Sequence, residues 1–270
     1  MMLRKQSIID RALDEDIGTG DLTSNSIIPK DYRITARIVA KEKGVIAGLP
    51  VVQRIYRGVQ FHALVVDGDT VNKGAAIAEI TGNARFILSR ERTALNFIRH
   101  LSGIATMTRQ YADELGGVTL LDTRKTTPGL RKLEKYAVRI AGGKNHRFGL
   151  YDMVLIKSAH IAIAGGITEA IQRARRAGTK IEVEVEWLEQ VEEALRAQPD
   201  MIMLDNMPLA DMKKAIKLIG GKIPIEVSGN VTLERLPVLC RLGVQYVSSG
   251  AITHSAGSLD LSMEVVHDSR

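Results

Sequence analysis

The sequence predicts an α/β protein whose second part is a parallel barrel, and three observations carry that prediction. The chain has 270 residues, 45% apolar and 25% charged, enough to bury a sizeable core in one large or two ordinary domains without disulfides or metals. From about residue 118 onward, short β-rich runs alternate with helical stretches, and that alternation means parallel strands joined by crossover helices. The runs are Val, Ile, Leu and Met inside, yet polar and charged at their C-terminal ends.

Up to about residue 88 the chain reads as short extended segments and turns. ITARIVA (34–40) and FHALVV (61–66) are strands, and Asp67-Gly68-Asp69 opens a turn before TVNKGAAIAEITG. This last pattern resembles half of a lipoyl- or biotinyl-carrier sandwich. Lys73 is followed by Gly, however, and has no Met-Lys-Met tip, so the segment is scaffold. From Ser89 to Leu115 the apolar residues keep helical spacing, with a bend expected at Ser102-Gly103. That helix is the junction between an N-terminal domain, 1–105, and a catalytic domain, 106–270, whose C-terminal tail packs back on the first.

Seven β-rich runs follow: VTLLD (118–122), YAVRI (136–140), MVLIK (153–157), IEVEVE (181–186), MIMLD (201–205), IPIEVSG (223–229) and VQYVSSG (244–250). ITEAIQRARRAG, WLEQVEEALRA, LADMKKAIKLIG and TLERLPVLCRLG supply helices between them. Asp122, Arg124, Lys125, Lys157, Glu184, Asp205, Ser228 and Ser249 lie at or just beyond strand ends. In a parallel barrel such ends converge on one mouth, where chemistry is placed. A doubly wound sheet concentrates its site at one switch point, so polar groups on nearly every strand end favour the barrel.

Lys+Arg 37 against Asp+Glu 31 gives a net charge of +6. With aromatics at 4% and no aromatic–basic ladder, nucleic-acid binding is not expected and a small anionic substrate accounts for the excess. No apolar run reaches the roughly 18 residues needed to cross a bilayer. The opening MMLRKQSIIDRALDED turns acidic before a signal-type stretch forms, so a cytoplasmic protein without membrane partners is expected. Cys240 is the single cysteine; it reads as a buried small hydrophobe, and no zinc-type spacing exists. Arg173, Arg175, Arg176, Lys213, Lys214 and Lys217 read as solvated helix faces. His62, His100 and His254 read as structural, while Arg131, Lys132 and Lys135 are placed to rim the mouth.

Arg124, Lys125, His146, Arg147 and Lys157 form a cationic set. Burying them without anions is very unfavourable, so the pocket should receive a strongly anionic ligand; the plainer alternative is internal pairing with Glu182, Glu184 and Asp205. Glu184 and Asp205 sit on successive strands, suited to hold Mg²⁺ partly through water or to stabilise developing positive charge. Alternation puts Glu182, Glu184 and Glu186 on one face. Ser228-Gly229-Asn230 and Ser249-Gly250-Ala251 end the last two strands, where glycine lets a phosphate reach backbone N–H groups. Together these features suggest a phosphorylated sugar and a second anionic reactant.

RERTALNFIRHLSGIAT, DTRKTTPGLRKLEKYAVRIAGGKNHRFGLYDMVLIK, IEVEVE, MLDN and EVSGN, with EDIGTGDLTS near the start, resemble the quinolinate phosphoribosyltransferase family from about residue 10 to 255. The resemblance implies an N-terminal α/β sandwich followed by an open seven-stranded parallel α/β barrel. It also implies a homodimer with shared sites, or a higher oligomer built from it. Quinolinate and phosphoribosyl pyrophosphate (PRPP) are the implied substrates, and Mg²⁺ the implied cofactor. Arg124, Lys125, His146, Arg147 and Lys157 would bind them, Arg92 would reach the partner's site, and Ser228, Gly229 and Gly250 would hold phosphate. Lys125, Lys157, Glu184 and Asp205 would carry catalysis, with Glu184 and Asp205 near the ribose and metal. One departure is that Ser158-Ala159-His160 stands where the family usually reads Asp-Asn-His. Two rivals are a paralogous phosphoribosyltransferase-like protein associated with molybdate transport and a barrel lyase using Lys157 as a Schiff-base lysine.

Overall fold

The structure is a computed structural model that describes residues 6–266. Its first helix, α1 (Ile8–Ile17), starts at a reciprocal cap in which the Ser7 hydroxyl accepts from Asp10 N–H and the Asp10 carboxylate accepts from Ser7 N–H. Asp21 caps α2 (Leu22–Ile27), its carboxylate accepting from Ser24 N–H at 3.0 Å. Strands β1 (Arg33–Ala40) and β2 (Gly44–Val45) precede α3 (Leu49–Ile55), whose first N–H groups are held by the Asp67 carboxylate at 3.0 Å. Next come β3 (Gln60–Ala63), β4 (Thr70–Val71), β5 (Ala76–Asn83) and the long α4 (Ala84–Glu114).

After α4 the chain forms β6 (Thr119–Leu121), α5 (Arg131–Ile140), β7 (Val154–Ile156), α6 (Ser158–Ala164) and α7 (Ile167–Ala174). It continues through β8 (Ile181–Val185), α8 (Leu188–Ala197), β9 (Met201–Asp205), α9 (Leu209–Ile219) and β10 (Ile225–Ser228). The last elements are α10 (Leu236–Leu239), β11 (Tyr246–Ser248), α11 (Ala251–His254) and β12 (Leu261–Val266). Among the described residues, no helix is long and apolar enough to cross a membrane.

Two compact units result. Of the described residues, the first contains 6–107, Thr127–Ala141 and 256–266; the second contains Thr108–Thr126 and Gly142–Ser255. In the first unit β12, β1, β5 and β3 make an antiparallel sheet, and β2 pairs with β4. The second unit is a parallel sheet in the order β6-β11-β10-β9-β8-β7. From β7 to β11 each strand lies beside its sequence neighbour, and β11 then pairs with β6. There is no reversal of order of the kind that makes a switch point.

YAVRI is a correction: it is helix, not strand. Tyr136, Val138 and Ile140 alternate as a strand would, but Glu134, Lys135, Ala137, Val138 and Ala141 are the buried positions, and that spacing is helical. Six strands are therefore paired where seven were expected. A seventh extended position survives only as the single parallel bridge Leu121↔Lys144.

The helix is not interrupted at Ser102-Gly103, since α4 runs unbroken for 31 residues. Gly103 serves close approach instead. A Cβ built there would sit 1.7 Å from the Gly257 carbonyl oxygen, and the neighbouring Leu259 N–H donates to Arg99 O at 3.0 Å. Gly103→Ala should therefore destabilise the protein by about 2–3 kcal/mol through overpacking against backbone, which lowers the Tm by several degrees. A thermal melt within 1 °C of wild type would show that this crossing is looser than described.

Candidate active site

Strand alternation decides which side chains reach the mouth of the second unit. Val183, Val185, Ile202, Leu204, Val227 and Val247 are fully buried. The residues between them, Glu184, Met203, Asp205, Glu226, Ser228 and Ser248, line a cavity of about 730 Å³. Register places Glu184 beside Met203, Met203 beside Glu226, and Asp205 beside Ser228. Arg124 and Lys125 follow β6, His146 and Arg147 precede β7, and Lys157 directly follows it; all line the same cavity, as do Gly229 and Gly250. The structure thus brings together every predicted site residue of the second unit. Arg92 is exposed on α4 in the first unit.

The cationic segment is held by Asp122, which is completely buried. Its carboxylate accepts from Asn145 Nδ2 at 2.6 Å and from His146 N–H at 2.9 Å. Arg147 N–H then donates to His146 Nδ1 at 2.7 Å. That nitrogen is an acceptor, so the ring proton sits on Nε2, 2.8 Å from Glu182. Arg147 reaches the Met153 carbonyl at 3.3 Å. Burial, then the like charge of Arg124, pull its pKa down from the usual guanidinium value. A guanidinium in such surroundings gains more from an anionic ligand than a solvated one does.

Two of the alternative acid pairings are present: Lys157 Nζ donates to Glu184, and His146 faces Glu182. Glu184 has a raised pKa, first from burial and then from Asp205 and Glu182, with Lys157 acting against the shift. Behind it lie Glu182 and Glu226, both without solvent exposure. Glu226 lies 3.6 Å from His146 Nε2, and burial followed by the Glu182 charge pushes its pKa well above the carboxylate range. His146, Glu182 and Glu226 have their ligand atoms within 4.8 Å of one another. Glu184 and Asp205 are less buried and bring hard carboxylate oxygens to the same cavity.

Glycine has a defined task in the loops. At Gly250 a Cβ would lie 2.8 Å from Lys125 Cδ and 3.0 Å from the His254 ring, so its absence leaves room for both side chains. The Thr253 hydroxyl donates to Lys125 O at 2.7 Å and ties the two strand-end loops together. At Ser158-Ala159 the side chains are exposed. The start of α6 is pinned instead by Lys157 N–H donating to His160 Nδ1 at 2.9 Å.

Several sequence readings change. Glu186 is exposed beyond the end of β8, so the inward row of three acids is two. His254, read as structural, lines the cavity, as do Glu226, Asn206 and Asn230. Alternation along IEVSG was a signal for Glu226, and the spacing of four from Gly250 along α11 one for His254. His100 is structural as read, bonding to buried Glu134 at 2.8 Å. Lys135, read as placed to rim the mouth, is fully buried in the first unit and does not line the cavity. Cys240 is half-buried, its Sγ 3.2 Å from Pro237 O.

Comparison with known proteins gives a consistent family. Residues 21–102 match the model of the quinolinate phosphoribosyl transferase N-terminal domain, and residues 104–264 match that of its C-terminal domain. The chain is 48% identical to a probable nicotinate-nucleotide pyrophosphorylase [carboxylating] of Bacillus subtilis, over 97% of this chain and 94% of that one. A Synechocystis protein of the same name is 46% identical, covering 95% and 90%. The solved nicotinate-nucleotide pyrophosphorylase of Ehrlichia chaffeensis superposes with a TM-score of 0.93 at 40% identity, covering 98% of this chain and all of that one.

Glu226 also provides a test of the electrostatics. Its folded-state pKa lies above the unfolded value, so the unfolded state binds fewer protons between the two values and stability falls as pH rises through that window. Glu226→Gln should raise the Tm at pH 8 and flatten the decline in stability above about pH 4.5. Equal pH slopes for the two proteins would mean that Glu226 is ionised in the fold.

Proposed function

The chain belongs to the quinolinate phosphoribosyltransferase family, and on that premise we propose that it transfers the phosphoribosyl group of PRPP to quinolinate with decarboxylation. The products are nicotinate mononucleotide, pyrophosphate and CO₂, a step of NAD biosynthesis. The observation that carries this reading is the shared cavity, where Arg124, Lys125, His146, Arg147 and Lys157 face Glu184 and Asp205 beside two glycine-bearing strand ends. Its volume of about 730 Å³ is ample for two small anions. We further infer that the parallel sheet curls into an open barrel, with the Lys144 bridge standing for the seventh strand, and that the first unit is an α/β sandwich.

In this reading Arg124 and Arg147 hold the quinolinate carboxylates by bidentate geometry, while His146, itself fixed by Asp122 and Glu182, shapes the same wall. Ser228, Gly229 and Gly250 receive the 5-phosphate, and Lys125 and Lys157 meet the pyrophosphate. The pyridine nitrogen forms a bond to C1 of the ribose as the bond from C1 to pyrophosphate breaks, with the electron pair leaving on the pyrophosphate oxygen. Positive charge grows on the ribose, and Glu184 and Asp205 stabilise it, because their charge counts most when the ribose is cationic. The C2 carboxylate then leaves as CO₂, its electron pair remaining at C2 beside the positive ring nitrogen until a proton is taken up. Two carboxylates at one end of an anion cavity are a hard-oxygen donor set that suits Mg²⁺. When bound there by Glu184 and Asp205, the ion would supply charge neutralisation for pyrophosphate.

The relatives carry the name nicotinate-nucleotide pyrophosphorylase [carboxylating], which favours this reading over a molybdate-associated paralogue. Lys157 is bonded to Glu184, an arrangement for anchoring anions rather than for carbonyl attack. We place Arg92 in the site of a dimeric partner, since it is exposed and is not among the residues lining this chain's cavity.

Purified protein supplied with quinolinate, PRPP and Mg²⁺ should release nicotinate mononucleotide and pyrophosphate. Nicotinate should be used at least about 100-fold less well in kcat/KM, because it leaves one buried cationic contact unpaired. Comparable values for both acids would overturn the substrate assignment. For the dimer, Arg92→Ala and Lys125→Ala proteins should each be nearly inactive. Unfolded and refolded together in equal amounts, they should recover about one quarter of wild-type activity, because half the molecules are heterodimers with one intact site. No recovery with heterodimers present by native mass spectrometry would place Arg92 in its own subunit.

A further inference from the structure

Asn206 and Asn230 are two of the three non-glycine residues with positive φ among the described residues, at +52° and +47°. The left-handed region strains most side chains and is tolerated best by Asn and Asp. The two residues lie just beyond the ends of neighbouring strands, Asn206 directly after Asp205 at the end of β9 and Asn230 two residues after Ser228 at the end of β10.

Their side chains meet. Asn206 Nδ2 donates to Asp205 Oδ2 at 3.1 Å, and Asn206 Oδ1 accepts from Asn230 Nδ2 at 3.2 Å. Asn206 N–H donates to Ser228 O at 3.0 Å, and Asn230 O accepts from Arg235 Nη1 at 2.7 Å. Only one orientation of the Asn206 amide satisfies both neighbours, since a carboxylate accepts and an NH₂ donates. Gly229 completes the contact: a Cβ there would lie 2.2 Å from Asn206 Oδ1 and 2.8 Å from its backbone nitrogen. The carboxamide is thus laid flat against the glycine loop.

Resting on the function proposed above, we infer that Asn206 is a positioning residue that locks the Asp205 carboxylate to the Ser228–Asn230 loop. The acid that faces the ribose and the loop that receives the 5-phosphate then form one rigid frame for PRPP. Without the amide, the side-chain link between Asp205 and Asn230 is lost, and the loop keeps the Asn206 N–H bond to Ser228 O and the Arg235 bond to Asn230 O around the permissive backbone of Gly229. Asp205 and Ser228 are register partners on adjacent strands, so the frame spans the shortest path between the two half-sites. Quinolinate is held by other residues and should not sense the clamp.

The test uses Asn206→Gly, which keeps the positive φ and removes both side-chain bonds, with Asn230→Gly and the double variant. Asn206→Gly should lower kcat/KM for PRPP at least tenfold while KM for quinolinate stays within twofold and the Tm within about 2 °C. Asn206→Asp, which sets a second carboxylate against Asp205, should be worse than Asn206→Gly. The double variant should be no worse than Asn206→Gly alone, because the bond that Asn230 makes is already lost. Unchanged PRPP parameters would overturn the inference, as would equal losses for both substrates accompanied by a lowered Tm, which is the mark of a purely structural role. If the wild-type protein does not turn over quinolinate and PRPP, the functional reading fails separately. Calorimetric binding of PRPP then decides the clamp, with tenfold weaker binding by Asn206→Gly supporting it and equal affinity overturning it.

Discussion

Asp122 ends β6 with no exposure to solvent, and its two oxygens take the Asn145 side chain and the His146 backbone N–H. A carboxylate so placed is very unfavourable unless its lone pairs are met by good donors. The chain between α5 and β7 therefore has one place to go. Lys144 N–H donates to Leu120 O at 2.8 Å, and Asp122 N–H donates to Lys144 O at 3.1 Å, so the segment is stitched beside β6 without becoming a strand. This sets His146 and Arg147 facing the cavity and fixes which imidazole nitrogen carries the proton. The cationic wall is consequently a product of backbone bonding at the sheet edge.

The rest of the site follows from alternation. Each central strand gives its Val, Ile and Leu residues to one face and its polar residues to the other, so burial of the apolar face fixes the register and the register fixes the polar row. A slip of one residue in β8 would exchange Glu184 with Val185 and lose both core and site together. Stability and chemistry thus constrain the same strands, which is why positions beyond the strand ends, such as Asn206, Gly229 and Gly250, carry the adjustments that packing does not dictate.

Much of this was legible in the sequence because the strong signals are local. The six strands of the second unit lie within runs that stood out as β-branched and apolar, and their polar ends identified the cavity. What was illegible depends on partners distant in sequence. YAVRI has strand-like alternation and helical burial at once, and only packing decides between them. Gly103 reads as a break in a helix until the Gly257 carbonyl is seen against it. Alternation puts Glu226 on the polar side of β10, but its closeness to Glu182, two strands away, is visible only in the fold, as is the arrival of His254 at the rim. The tie between Asn206 and Asn230 joins residues 24 apart, although MLDN and EVSGN were each visible as short motifs.

The presence of acids in an anion-binding cavity is the feature that separates a transferase from a simple receptor. Cations alone bind two anionic ligands more tightly than cations mixed with Glu184 and Asp205, because each carboxylate repels the ground-state ligands. Such repulsion works against binding yet favours reaction when the transition state carries positive charge on the sugar, since the same carboxylates then attract. Lys157 tempers the conflict by pairing with Glu184. In the function proposed above, an anionic reactant that recruits Lys157 would release the Glu184 charge to the ribose. The ion pair of the free protein and the charge pattern of the reacting complex would then be alternative uses of one set of side chains, and the exchange between them would couple substrate binding to stabilisation of the transition state.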